Sequence, residues 1–270
     1  MSDESKSTNS RAKKNKELFS LINSHISESN TKNWEGTLED YIDIITKDPS
    51  LHMNAHSRVL RMIESSGLER DGDGKVSSYK FFENDLFGLD DSIAEIMEYL
   101  RAAAAGSEVG RRILLLFGPT SSGKSQLAIL LKRGMEEFSK TDVGAIYGLA
   151  ESPMFEDPLN AIPYSLRSEF KDKYGIKIEG ELSPLMSLKL REDYEGNFLK
   201  LPVKRVFASE RDRVCLGTFV PSDKKSQDIS ELVGSMDLST IGKYGSESDP
   251  RAYRFDGELN IANRGIMEFV

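Results

Sequence analysis

The sequence predicts an α/β fold: a parallel sheet flanked by helices, behind a small helical N-terminal region. Three observations predict it. The stretch "RRILLLFG" carries five consecutive apolar residues, Ile113 to Phe117, bounded by charge and glycine. Such a run suits a strand buried on both faces of a parallel sheet. A stripe at helical spacing follows, and then a second short apolar run, "VGAIYGLA", from Val143 to Ala150. Strand, helix and strand in that order define a unit whose crossover is right-handed. Upstream, residues 17–75 show helical rather than alternating periodicity.

Residues 1–16 are Ser-, Lys- and Asn-rich and are expected to form a disordered tail. In the helical region, residues 17–75, Leu38, Tyr41, Ile42 and Ile45 share one face, and Val59, Leu60 and Ile63 share another. Pro49 and the stretch from Gly67 to Gly74 punctuate it. The main domain is expected over 76–270. Asp90, Asp91 and Ser92 are N-cap candidates for a helix carrying Ile93, Ile96, Met97 and Leu100, with Gly106 as its stop. After the Ile113–Phe117 run, Leu127, Leu130, Leu131, Met135 and Phe138 mark the next helix. Near the C-terminus, Ile266, Met267, Phe269 and Val270 read as the opening of a further buried strand.

Composition limits the function classes. The 270 residues are 38% hydrophobic and 30% charged, with net charge −8. That balance argues against nucleic acid as a partner, because phosphate backbones want a basic surface. One cysteine, Cys215, rules out an intrachain disulfide and reads as a small apolar residue in a reducing compartment. His25, His52 and His56 all lie in the first quarter, so no zinc spacing exists and no Ser-His-Asp triad is expected inside the main domain. No signal-peptide core and no membrane-length apolar run is present, so the expected location is cytoplasmic, with no membrane partner.

The chemistry lies between the first apolar run and its helix. There stands "GPTSSGKS": Gly118, Pro119, Thr120, Ser121, Ser122, Gly123, Lys124, Ser125. This is the phosphate-loop pattern G-x-x-x-x-G-K-[ST]. Wrapping a phosphate with backbone N–H groups excludes bulky side chains, hence the glycines and small residues. The amides at the start of the helix then face the anion. Lys124 is the candidate catalytic cation, reaching the β- and γ-phosphates of ATP, and the Ser125 hydroxyl is the candidate Mg²⁺ ligand. Gln126 completes the candidate nucleotide contacts. Pro119 has no N–H to donate and stiffens the entry to the loop.

Three further blocks carry a resemblance: "FFENDLFGLDDSIAEIMEYLRAAAAG", "ESPMFEDPLNAIP", and the run from "PSDKKSQDISELVGSMD" to "FDGELNIANRGIMEFV". With the phosphate loop, they resemble the AAA+ domain of the PrkA family of bacterial serine protein kinases. The last block also resembles the magnesium-chelatase-like branch of AAA+ proteins, where a comparable run leads into the strand bearing the Walker B acids. The resemblance implies a P-loop NTPase fold, ATP-dependent phosphorylation of serine or threonine on protein substrates, proposed proteolytic activity, and ring assembly, so that a homo-oligomer is a possible partner state. It also implies a longer protein: Val270 falls where the first Walker B acid is expected, so the domain reads as incomplete at its C-terminus. Glu268 is the candidate substitute for the missing acid; the competing reading is a strand residue at a sheet boundary.

"LFGLDD" offers Leu86, Phe87 and Leu89 as candidate adenine contacts or as plain core. Arg251, Arg254 and Arg264 are candidates to reach a neighbouring subunit's nucleotide; the alternative is pairing with nearby acids. No H-R-D-type loop, D-F-G or G-x-G-x-x-G occurs, so the parts of a conventional protein kinase are missing from these residues. An ATP-gated assembly module and an ATP-dependent protease subunit remain as alternatives to the kinase reading.

Overall fold

The computed structural model describes residue 19 and residues 33–73, 76–221, 229–244 and 248–270. The expected tail, 1–16, and His25 lie outside the described residues. Gly36–Val270 forms one compact unit.

The unit opens with β1 (Glu35–Thr37) and α1 (Leu38–Lys47). The helix starts at a capping box: the Thr37 hydroxyl accepts from the Asp40 amide, and the Asp40 carboxylate accepts from the Thr37 amide at 2.8 Å. Its stripe buries Leu38, Tyr41 and Ile45. Asn54 caps α2 (Ala55–Ser65) by accepting from the Ser57 amide at 2.7 Å, and the helix buries Val59, Met62 and Ile63. The antiparallel hairpin of β2 (Leu68–Arg70) and β3 (Val76–Tyr79) follows. The expected division near residues 75 and 76 therefore falls inside a hairpin. Moreover, α2 shares one core with α3 (Asp90–Ala104) and α4 (Lys124–Ser139), so the helices from Gly36 onward belong to the same compact unit as the phosphate-loop segment.

In α3 the stripe is as expected, burying Ile93, Ile96, Met97 and Leu100. The cap is not: Leu89 occupies the N-cap with no side-chain bond, and Asp90 and Asp91 sit in the first turn, where their charge favours the positive end of the helix.

The sheet departs from expectation. Residues 113–117 form no strand, and Ile113, Leu115 and Phe117 are 82%, 81% and 95% exposed. An apolar run supplies only one side of a ladder, and none of the described strands pairs with this one. The second expected strand does form, as β4 (Ile146–Leu149), but its ladder is antiparallel to β5 (Pro202–Val206), from Ile146 opposite Val206 to Leu149 opposite Val203. With β1 on the other side of β5, these make a three-stranded sheet. The expected parallel strand–helix–strand unit is thus replaced by pairing to a strand some fifty residues onward, which the short run "PVKRV" did not announce.

Between β4 and β5 lie α5 (Tyr164–Tyr174) and α6 (Pro184–Glu192). A parallel pair is formed by β6 (Leu216–Phe219) and the C-terminal β9 (Ile266–Phe269), in register Leu216 to Ile266 and Thr218 to Glu268. Their connection includes α7 (Ile229–Val233), the antiparallel ribbon of β7 (Ser235–Met236) and β8 (Tyr253–Arg254) with α8 (Leu238–Tyr244) between them, and α9 (Glu258–Ile261). Gly265 is required at the start of β9: a Cβ there would stand 1.7 Å from the Cys215 carbonyl oxygen, which accepts from the Ile266 amide. Among the described residues no helix is long and apolar enough to cross a membrane.

Candidate nucleotide site

The start of α4 is built by backbone conformation. Gly123 takes φ +84° and Ser121 φ +64°, both left-handed. A Cβ on Gly123 would lie 3.0 Å from Leu89 Cδ1 and 3.4 Å from Leu86 Cδ2, so the "LFGLDD" segment is packed directly against the loop. The Gln126 side chain reinforces this seating by donating its Nε2 to the Asp85 carboxylate at 3.2 Å. The first bond of the helix runs from the Leu127 amide to the Gly123 carbonyl at 2.9 Å. The amides of Lys124, Ser125 and Gln126 therefore precede the helix's own ladder and stand at its positive end.

Lys124 folds back over the loop. Its ammonium donates to the carbonyls of Gly118 at 2.8 Å and Pro119 at 2.5 Å, and to the Ser122 hydroxyl at 3.1 Å. Gly118 is crowded: an added Cβ would meet Ser122 Oγ at 3.1 Å and Lys124 Nζ at 4.0 Å. The loop is thus a close-walled cradle with a cation held across it and helix amides behind it, which fits a nucleotide phosphate. Among the described residues no group of three or more His, Cys, Asp or Glu side chains could hold a metal ion by itself.

The flanking candidates separate. Leu86 is buried and Leu89 packs against the same core, whereas Phe87 is 77% exposed. Arg251 pairs with Asp249 at 2.7 Å and Glu192 at 3.4 Å, and Arg254 pairs with Asp256 at 3.0 Å. Arg264 turns inward: its side chain is 9% exposed, donates to the Tyr147 carbonyl and lies 3.5 Å from Asp157.

Glu268 is also engaged. Its carboxylate lies 2.6 Å from the ammonium of Lys132, which also meets Glu210 at 2.5 Å and the Thr218 hydroxyl at 3.0 Å. Thr218 and Glu268 are register partners in the β6–β9 ladder, so their side chains share a face and both reach α4. Burial pulls the Lys132 pKa down, but its bonds to Glu210 and Glu268 outweigh this and hold it above the ordinary value. Lys132 stands eight residues beyond Lys124, about 12 Å along the helix. The cluster was missed in the sequence, although a signal exists: Lys132 falls three residues before Met135, on the inward stripe.

A second cluster joins α2 to the segment before it, the loop after β4 and the turn before β9. Arg58 is fully buried and donates to the Arg264 carbonyl at 3.4 Å. Asp157 receives Arg264 at 3.5 Å and His52 at 3.6 Å. Burial raises the Asp157 pKa, but Arg264, His52 and the Leu159 amide overcome it and hold the carboxyl below its usual value. The expectation that distance in sequence keeps the histidines from the main domain fails here. His52 Nδ1 faces the Asp157 carboxylate at 3.6 Å without a hydrogen bond. Cys215 is buried, as expected of a core residue.

The phosphate-loop pattern at Gly118–Ser125 thus stands at the head of α4 in a mixed α/β unit. The chain belongs to the PrkA AAA domain family, whose pattern matches residues 36–270. It is 51% identical over 254 residues to the ATP-dependent protease PrkA of Bacillus subtilis (strain 168), covering 94% of this chain and 40% of that protein. It is 32% identical over 257 residues to the serine/threonine kinase YeaG of Escherichia coli (strain K12), covering 88% of this chain and 38% of that protein. The chain therefore spans about two fifths of the length of these curated relatives. No solved structure matches it significantly.

Proposed function

We propose that this chain is the Mg·ATP-binding AAA part of a protein that phosphorylates serine or threonine on protein substrates. The observation that carries the nucleotide reading is the loop from Gly118 to Ser125, with Lys124 held across it and the amides of residues 124–126 at the head of α4. In this reading those amides and Lys124 bind and orient the β- and γ-phosphates, and Ser125 and Gln126 complete the first turn around them. The Ser125 hydroxyl would hold Mg²⁺, which would supply charge neutralisation at the transferred group. Glu268 is read as the counter-ion of Lys132 and not as the acid that orients a water. Kinase activity is supported by the name of the YeaG relative.

A second reading, ATP-dependent proteolysis, is favoured by the name of the relative at 51% identity. Calorimetric titration of Mg·ATP into the wild-type chain and Lys124→Ala tests the nucleotide site. A loss of at least tenfold is expected, about 1.4 kcal/mol, and equal affinity overturns the reading. Transfer of the labelled γ-phosphate to serine in a protein substrate, measured beside ATP-dependent casein degradation in the full-length protein, separates kinase from protease. Proteolysis without phosphoryl transfer removes the kinase reading.

A further inference from the structure

A cavity of about 630 Å³ opens between β3, the segment after it, and the outer face of α3. Its size is that of a ligand or anchor-residue pocket. The floor is apolar and buried, formed by Tyr79, Phe82, Leu86 and Ile93. The rim carries four exposed carboxylates, Glu83, Asp90, Glu95 and Glu98, none of which pairs with a cation among the described residues. Among the described lining residues the cation is Arg101, which is already occupied by Glu64 at 3.2 Å and by the Tyr79 hydroxyl at 2.7 Å, and it lies over the Tyr79 ring. Its charge therefore does little to offset the rim. Phe87, 77% exposed, stands at the mouth.

We propose that this cavity docks a cationic segment of a protein partner, in which arginine or lysine flanks a large apolar side chain. The apolar side chain fills the floor and packs against Phe87, while the flanking cations meet the four carboxylates. The pairing follows from charge complementarity: unpaired carboxylates around a low-dielectric floor concentrate a negative potential at its mouth. An anionic ligand such as a nucleotide suits the same rim poorly, and no lining residue comes from the phosphate loop at 118–126. The cavity is thus separate from the phosphate site, although Leu86 contributes to both surroundings.

Fluorescence anisotropy with a fluorescein-labelled Arg-Arg-Leu-Phe-Arg-Arg peptide tests the assignment, with Glu-Glu-Leu-Phe-Glu-Glu as its control. The basic peptide should bind and the acidic one should not. Glu95→Lys with Glu98→Lys should weaken binding by about tenfold, and Phe87→Ser by about threefold, as expected for rim charges and an exposed anchor. These positions are exposed, so unchanged circular dichroism and melting temperature verify the fold. A matched reversal on remote surfaces, Asp172→Lys with Asp193→Lys, should stay within about twofold, because it changes net charge equally but lies away from the rim. Saturating Mg·ATP should leave the affinity unchanged. The proposal is overturned by equal binding of the acidic peptide, by rim and remote reversals of equal effect, by displacement with ATP, or by no binding of the basic peptide at about 1 mM.

Discussion

Replacing Lys132 with methionine keeps the length of the side chain and removes its charge, which leaves Glu268 without its partner. The Lys132 side chain is 6% exposed, Glu268 20% and Glu210 48%. Breaking a fully buried ion pair costs about 3–5 kcal/mol. Glu210 is half in water and can turn outward, so its share is nearer the surface value of about 0–1 kcal/mol. Glu268 is held by the β6–β9 ladder and cannot leave without disturbing it, so it carries most of the loss. Partial exposure reduces that loss, giving about 2–3 kcal/mol for the single variant. At 2–4 °C per kcal/mol for a domain of this size, the melting temperature should fall by roughly 5–10 °C.

The double variant Lys132→Met with Glu268→Gln removes the stranded charge and should recover at least about 1 kcal/mol relative to the sum of the single variants. Differential scanning fluorimetry supplies the melting temperatures and urea titration the free energies. A melting point for Lys132→Met within about 1 °C of the parent, or strict additivity in the double variant, would refute the reasoning. Mg·ATP affinity should stay within about twofold in Glu268→Gln, since its counter-ion stands two turns of α4 away from Lys124. A tenfold change there would restore Glu268 to the nucleotide site.

Gly123→Ala forces a left-handed alanine against Leu89, at about 1–2 kcal/mol of backbone strain, and should weaken Mg·ATP binding at least tenfold in calorimetry while the far-UV spectrum is retained. Asp157→Asn leaves Arg58 and Arg264 facing each other with less compensation and should cost about 2 kcal/mol at neutral pH, measured by urea titration. Because the folded Asp157 pKa is depressed, its contribution is present above the ordinary value of 3.8 and is lost as pH falls through the lower folded value. The wild type should therefore lose stability more steeply than Asp157→Asn as pH drops below about 4. Thr37→Ala removes the cap of α1 and should lower stability by about 1 kcal/mol, read as a drop of 2–4 °C in thermal melting.

The helices were legible because their determinants are local. Periodicity alone located the buried stripes of α1 to α4, and the small residues of Gly118–Ser125 marked the turn into α4, where Ser121 and Gly123 take left-handed backbone. The capping of α3 shows the limit of such signals, since three cap-competent residues stand at 90–92 and Leu89 takes the position. Strand pairing is a different kind of information. Nothing within "IYGL" distinguishes a parallel neighbour from the antiparallel β5, and the run at 113–117 has strand composition without a strand's partners. A ladder is a property of two segments, and one segment's composition supplies half of it.

The same reasoning explains why Glu268 was ambiguous. Read along the chain, it is a carboxylate near the end of an apolar run, and its role could be catalytic or structural. Its surroundings are set by the pairing of Thr218 with Glu268 across β6 and β9, which turns both side chains toward one point on α4. At that point the inward stripe of the phosphate-loop helix presents a lysine instead of a leucine. Two lysines of one helix therefore sit in different surroundings: Lys124 at its head donates to loop carbonyls and a hydroxyl, and Lys132 two turns on pairs with carboxylates that tie the helix to the sheet. Such an arrangement makes the ion cluster the anchor that fixes the helix from which the phosphate loop projects, so weakening it should loosen the platform of the loop before it alters any group that touches nucleotide.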